Sequence, residues 1–263
     1  MSATATTLHT ATDAGVDKDR RPGFGRLSLV ELRKMVDTRS GFWLPIAVTG
    51  VTLIVVIVSA LVHGSHDATI RHLFDNAVQP GSFLLPVLGI LLVCGEWTQR
   101  TTLNTFTLVP DRGRVLAAKL AAGVVLAVGA CIVCLVFAVI FGEALGSNAP
   151  GGAGGISGLV LLQGLFFLSA SMIIGIAFGA AILVSAPGIV AYLLLPTVWG
   201  VLASSINALS TLDHWLDIGT TMGPLSRHTF SATQWAHVAT TLALWMAVPL
   251  VIGWWRFRHR DVN

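Results

Sequence analysis

Few side chains in this sequence are of a kind that does chemistry, and their spacing decides which of them can act together. Gly155, Ile156, Ser157 and Gly158 form a GxSG that could present a serine nucleophile, with His237 as a conceivable base. That serine, however, ends a glycine-rich stretch. The residues after His237, VATTLAL, also lack the small-residue spacing that would let a helix pack closely on it. Cys131 and Cys134 make a CxxC, but Ile, Val and Leu surround them with no charge to favour a thiolate, so with Cys94 they read as reduced packing residues. His63, His66 and His72 fall with Asp67 and Asp75 in the first polar stretch between apolar runs. An i, i+3 histidine pair can ligate a metal, yet no third ligand follows at a defined spacing, and loop polarity is the simpler reading. Lys18, Lys34 and Lys119 are followed by Asp, Met and Leu, so the chain has no GxxxxGK[ST] phosphate loop, and any ATP must be bound elsewhere. Glu143 remains as a candidate proton carrier; its place near the end of an apolar run also suits a solvated carboxylate. The expectation is a chain with no catalytic residue, cofactor or metal of its own.

The elements that must position these groups are membrane helices. Hydrophobic residues are 54% of the chain and charged ones 11%, and mean hydropathy is +0.78, more apolar surface than one water-soluble core can hide. From Leu120 to Leu212 the only charged side chain is Glu143. A charge at a helix centre costs roughly 2.5–3.5 kcal/mol on insertion scales, so such emptiness is what lipid selects. The pI near 9.1 does not indicate nucleic acid, because the basic residues flank apolar runs instead of forming a patch.

A helix crossing lipid needs about 20 apolar residues. On that rule six spans fall at 42–62, 78–95, 115–141, 157–184, 188–207 and 235–255, the second kinked or irregular at Pro80 and Pro86. Residues 1–23 have the composition of a disordered tail, leaving 24–263 as the membrane domain. Over 24–40, Leu27, Val30, Leu32, Met35 and Val36 alternate with Arg26, Glu31, Arg33, Lys34 and Arg39, which suits an amphipathic helix on the membrane surface. Seven Lys and Arg lie at or before Arg39, four (Arg100, Arg112, Arg114, Lys119) in or beside the loop after span two, and three (Arg256, Arg258, Arg260) after span six. Only Arg71 and Arg227 remain for the other side, so both termini and that loop are expected in the cytoplasm of a plasma-membrane protein. Trp43, Trp235, Trp254 and Trp255 fall where interfacial aromatic belts belong. Residues 146–158 read as a flexible linker. The stretch 209–234 is apolar enough for one or two short outer helices, re-entrant or on the surface, broken at Gly223 and Pro224.

The segment 96–119, EWTQRTTLNTFTLVPDRGRVLAAK, is polar and arginine-bearing between two apolar runs. Trp97, Leu103, Phe106, Leu108 and Val109 stand beside Glu96, Arg100 and Arg112. This is the composition of a small helix that docks in a groove while charges fix its register, and Pro110 would stop it.

Glu96 at the end of span two, Arg100 and Thr101 soon after, then Pro110, Arg112, Arg114 and Lys119 before span three give a pattern that resembles the permease subunits of ABC-2 type ATP-binding cassette exporters, particularly actinobacterial ones. Asp111 departs from the more usual basic or neutral residue. The charged N-terminal helix, the six spans and the apolar outer segment between spans five and six are similar as well. The resemblance implies an all-α membrane protein whose loop after span two carries a cytoplasmic coupling helix. It also implies a second permease protomer and separate ATPase subunits that hold ATP and Mg, each receiving the coupling helix. Glu31, Arg33, Lys34 and Arg39 would belong to the interfacial helix that carries the push. Gly175 and Gly179 in span four form a GxxxG suited to close helix packing, within the chain or between protomers. The expected activity is export of a hydrophobic or amphipathic compound such as a drug, lipid or lipopeptide. A proton-coupled secondary transporter using Glu143 is the alternative.

Overall fold

The computed structural model describes residues 23–67, 69–98, 112–144, 156–206, 212, 215–226 and 229–259. About 94% of them are helical and none is in a strand. A first helix α1 (Phe24–Asp37) is followed by α2 (Arg39–Asp67), α3 (Ile70–Thr98), α4 (Arg112–Ala144), α5 (Gly158–Ile182) and α6 (Ser185–Ser205). A short α7 (Ile218–Met222) runs into a 3₁₀ turn at Gly223–Ser226, and the chain ends through α8 (Ala232–Leu242), a π turn at Ala243–Ala247 and α9 (Val248–His259). Six of these stretches are long and apolar enough to cross a membrane: Gly41–Val62, Ile70–Gly95, Gly113–Ala144, Gly158–Ile182, Ser185–Ser205 and Ala232–Arg256. This is a multi-pass, all-helical membrane protein. The expected tail and the loop from Arg100 through Asp111 lie outside the described residues, apart from Gly23.

The second span begins eight residues earlier than its apolar run suggests. Ile70 opens α3, so Arg71, His72, Asp75 and Asn76 are helical instead of lying in a loop, which corrects the placement of His72 and Asp75. The physical reason is tertiary: Asp75 and Asn76 have partners on other elements that satisfy them inside the bundle. Pro80 and Pro86 lie within α3, as Pro45 does in α2 and Pro196 in α6, without ending the helix.

Two helices form the centre. In α3 and α5, 67% and 72% of the span is buried, against 11% in α6. Their contact is backbone to backbone. A side chain on Gly175 would overlap the Pro86 carbonyl, one on Gly89 would lie 2.8 Å from the Ile176 nitrogen and the Met172 oxygen, and Gly179 faces Ile90. The GxxxG of α5 therefore seats this helix on α3 of its own chain. Buried Leu73, Phe74, Leu88, Leu168, Met172 and Ile176 fill the surrounding core. On the outside, Ile54, Val58, Val125, Ile132, Leu194, Val201 and Val251 are exposed, as lipid-facing positions should be. The α5–α6 connection is only Leu183 and Val184. Leu183 adopts a left-handed conformation at φ 63°, its N–H bonded to the Gly179 oxygen at 2.8 Å, and burial of its side chain offsets the roughly 1–2 kcal/mol such a residue costs.

Candidate functional site

The loop that carries the sequence pattern has two stems, α3 before it and α4 after it, and a buried ion pair joins both stems to α1. Lys119 stands in VLAAKLAAG, seven residues into α4. Its Nζ donates to Glu31 Oε2 at 2.5 Å and to the Leu92 carbonyl of α3 at 3.3 Å. Glu31 is fully buried and Lys119 nearly so; the other carboxylate oxygen accepts from Lys34 Nζ at 2.9 Å, one turn along α1 and partly exposed. Leu27, one turn before Glu31, packs with Val115 and Ala118 of α4 in a small satellite cluster. Little apolar area therefore fixes α1, and the charged contact sets its register.

The contact corrects the surface-helix expectation in one respect. The inward face of α1 carries Leu27 and Glu31, while Phe24, Leu29 and Val30 are exposed with Arg26 and Arg33. Glu31 is thus a buried ion-pair partner and Arg33 a surface charge, and Lys34 bridges the two environments. Removing one member of a buried pair typically costs about 3–5 kcal/mol, because the other is left uncompensated, whereas replacing both by apolar residues is often neutral. The pair therefore specifies where α1 docks more than it stabilises the fold.

Of the residues read as the coupling loop, Glu96 and Trp97 continue the α3 backbone and Arg112 opens α4, but their side chains lie outside the described residues. Arg100, Thr101, Leu103, Phe106 and Pro110 lie wholly outside them, and Arg39 begins α2 with its side chain likewise undescribed. Gly175 and Gly179 sit on the α3–α5 contact, against Pro86 and Ile90, which lie about two turns and about half a turn before Lys119's partner Leu92 in α3. Sequence reading missed the burial of Glu31 and Lys119. The available signal is Lys119 itself, a cation with four uncharged neighbours on either side.

At the other end of the bundle a second polar cluster forms. Ser226, ending the 3₁₀ turn, donates to Asp75 Oδ1 at 2.5 Å, and both residues are buried. Asn76 donates to Ser59 of α2 at 2.6 Å and contacts His72 Nδ1 at 3.1 Å. The stretch containing α7 runs back along the last span. Trp215 O accepts from the Thr240 and Thr241 hydroxyls at 2.9 and 3.0 Å, and Leu216 O accepts from Trp245 Nε1 at 2.7 Å. Trp245 belongs to the π turn and lies about 20 Å beyond Ala232, near the middle of that span. Side chains of the last span thus satisfy carbonyls where a helical stretch ends at Leu216, beside the middle of a membrane helix. The break expected at Gly223 and Pro224 is the 3₁₀ turn.

The residues weighed for chemistry have structural uses. Ser157 caps α5 by accepting from the Val160 N–H, and the His237 ring lies tilted against Trp215 at 4.1 Å between centroids. All three cysteines are free and buried; Cys134 Sγ donates to the Ala77 carbonyl and Cys94 Sγ to the Gly179 carbonyl. Glu143 is exposed at the end of α4.

One contact between helices carries unmet hydrogen bonds. Where α6 lies on α3, Gly188 faces Ile90 and the Tyr192 hydroxyl donates to the Ser82 carbonyl at 3.4 Å. The same antiparallel register brings Trp199, two turns on from Tyr192, level with residues 75–79 of α3. Gln79 Nε2 and Trp199 Nε1 are buried atoms without a hydrogen-bond partner. Each such donor costs about 1–3 kcal/mol. No protein-family model and no curated protein matches this chain.

Proposed function

We propose that this chain is the membrane subunit of an ATP-driven exporter of the ABC-2 type, working as a permease with a second protomer and with separate ATPase subunits that bind ATP and Mg. The observation that carries the reading is the junction at Lys119, whose ammonium bonds α1 through Glu31 and α3 through Leu92 while α4 holds its backbone. A push on the loop between α3 and α4 reaches both of its stems, and the buried pair passes it to α1 as one rigid corner. Trp97, Leu103 and Phe106 would anchor that loop in a groove of the ATPase, with Glu96, Arg100 and Arg112 setting its register. Spans nearly empty of charge suit a hydrophobic or amphipathic cargo.

Affinity purification of the tagged chain from gently solubilised native membranes tests the reading. A stoichiometric ATPase should co-purify and be lost in the Arg100→Glu, Phe106→Asp variant; its absence from both preparations would overturn the proposal. The proton-coupled alternative gains one observation, the burial of Asp75 in α3, since an acid inside a span is a functional candidate by default. On the exporter reading, transport in vesicles persists when a protonophore collapses the proton gradient at constant ATP, and Glu143→Gln changes it little. Transport abolished by the protonophore would instead favour the proton-coupled reading.

A further inference from the structure

We propose that the seam between α3 and α6 is a concealed binding site for a neutral, carbonyl-bearing amphiphile, with Gln79 Nε2 and Trp199 Nε1 as its hydrogen-bond donors when α6 moves away from α3. Both atoms are buried and unpartnered, and the helix register sets Trp199 within about one turn of the level of Gln79 along one seam. Gln79 lies about 14 Å inside the Ile70 end of its span and Trp199 about 9 Å inside the Ser205 end of its own, depths at which lipid offers no water to the donors. A closed seam leaves them unsatisfied, so the free energy favours any occupant that brings acceptors.

Other observations indicate how the seam opens and what it takes. Helix α6 is the least buried of the six spans, and the hydrogen bond that its Tyr192 donates to the Ser82 carbonyl of α3 is a long one at 3.4 Å. Its outer face, with Leu194, Val198 and Val201, is exposed, and outward movement would part the Phe178–Tyr192 ring contact, at 6.0 Å between centroids, along with that hydrogen bond. Helix α6 holds no charged residue, and Asp75, one turn from Gln79 on the same stripe of α3, disfavours an anion. Two N–H donors call for an acceptor, and the Asp75 carboxylate is already engaged by the Ser226 hydroxyl. An ester or amide carbonyl on an apolar chain satisfies all of these conditions.

The test uses the full-length protein in nanodiscs of diether phosphatidylcholine, whose alkyl chains carry no carbonyl, with a diazirine-bearing monoacylglycerol ester as photoprobe. Labelling should fall on peptides covering 75–82 and 192–199. It should be competed by monoolein and not by the matching 1-O-alkyl ether. In the Gln79→Met, Trp199→Phe variant it should drop by at least about fivefold, the effect of losing two neutral hydrogen bonds. If the double variant does not elute as a single species, each single variant should show a partial loss. Repeating the labelling in diester phosphatidylcholine separates the two sources of such a carbonyl: competition by the bilayer identifies membrane lipid as the occupant, and persistence of labelling identifies a free amphiphile. Labelling unchanged by the substitutions, or competed equally by the ether, overturns the proposal. The readout needs no ATPase, so it stands or falls apart from the exporter reading.

Discussion

Glu31 and Lys119 are two charges that have left water, and what they cost depends on whether they leave together. The Lys119→Met substitution strands Glu31 in a site that is fully buried, so the unfolding free energy should drop by about 3–5 kcal/mol. Combining Glu31→Leu with Lys119→Met removes both charges and keeps the volume, and most of that loss should return. Titration of the purified variants with denaturing detergent, followed by circular dichroism, measures the cycle; a double variant less stable than Lys119→Met would refute the coupling. If the pair also transmits the push from the loop, the double variant should fold and still transport poorly. Neither partner's burial was legible from composition, because a Glu among Arg and Lys on an amphipathic helix resembles a solvated face. The partner lies 88 residues away, beyond the reach of any local pattern.

At the scale of elements, the apolar runs named six spans and their order, since insertion into lipid depends on local hydropathy. They failed at the start of α3, where His72, Asp75 and Asn76 interrupt the run although Ser226 and Ser59 satisfy the latter two across the bundle. Helix contacts were legible only where small residues marked them. Gly175 lies against the Pro86 backbone, which cannot rotate aside, whereas a side chain on Gly129 meets nothing within 4 Å. Gly175→Ala should therefore destabilise the protein by about 1–3 kcal/mol or more through forced separation of α3 and α5. Gly129→Ala should be neutral or stabilise by up to about 1 kcal/mol through helix propensity. The same detergent titration reads both, and equal effects would contradict the close α3–α5 packing.

Across the whole molecule, the direction of insertion rests on charge. Basic residues crowd the α1 end, where Lys119, Lys34 and Arg256 are found, Arg256 capping the C-terminal end of α5 through the Ala181 carbonyl. Glu143 stands at the opposite end of α4, exposed. The native thiols offer a clean background for finding which end faces outward. Cys94, Cys131 and Cys134 are buried in apolar surroundings, where a hydrophilic maleimide does not reach them. Single cysteines placed at Glu143 and at Ser28, a partly exposed position on α1 whose hydroxyl bonds the Phe24 carbonyl of its own helix, then report the two ends separately. With the positive-inside rule governing insertion, Glu143→Cys should be labelled in intact cells and Ser28→Cys only after the membrane is permeabilised. The reverse pattern would put the loop between α3 and α4 outside the cell, where no ATPase could reach it, and the exporter reading would fall with the orientation. Labelling of both in intact cells would mean an odd number of crossings between α1 and the end of α4 is not what the chain makes, and one of the first three spans would have to be withdrawn.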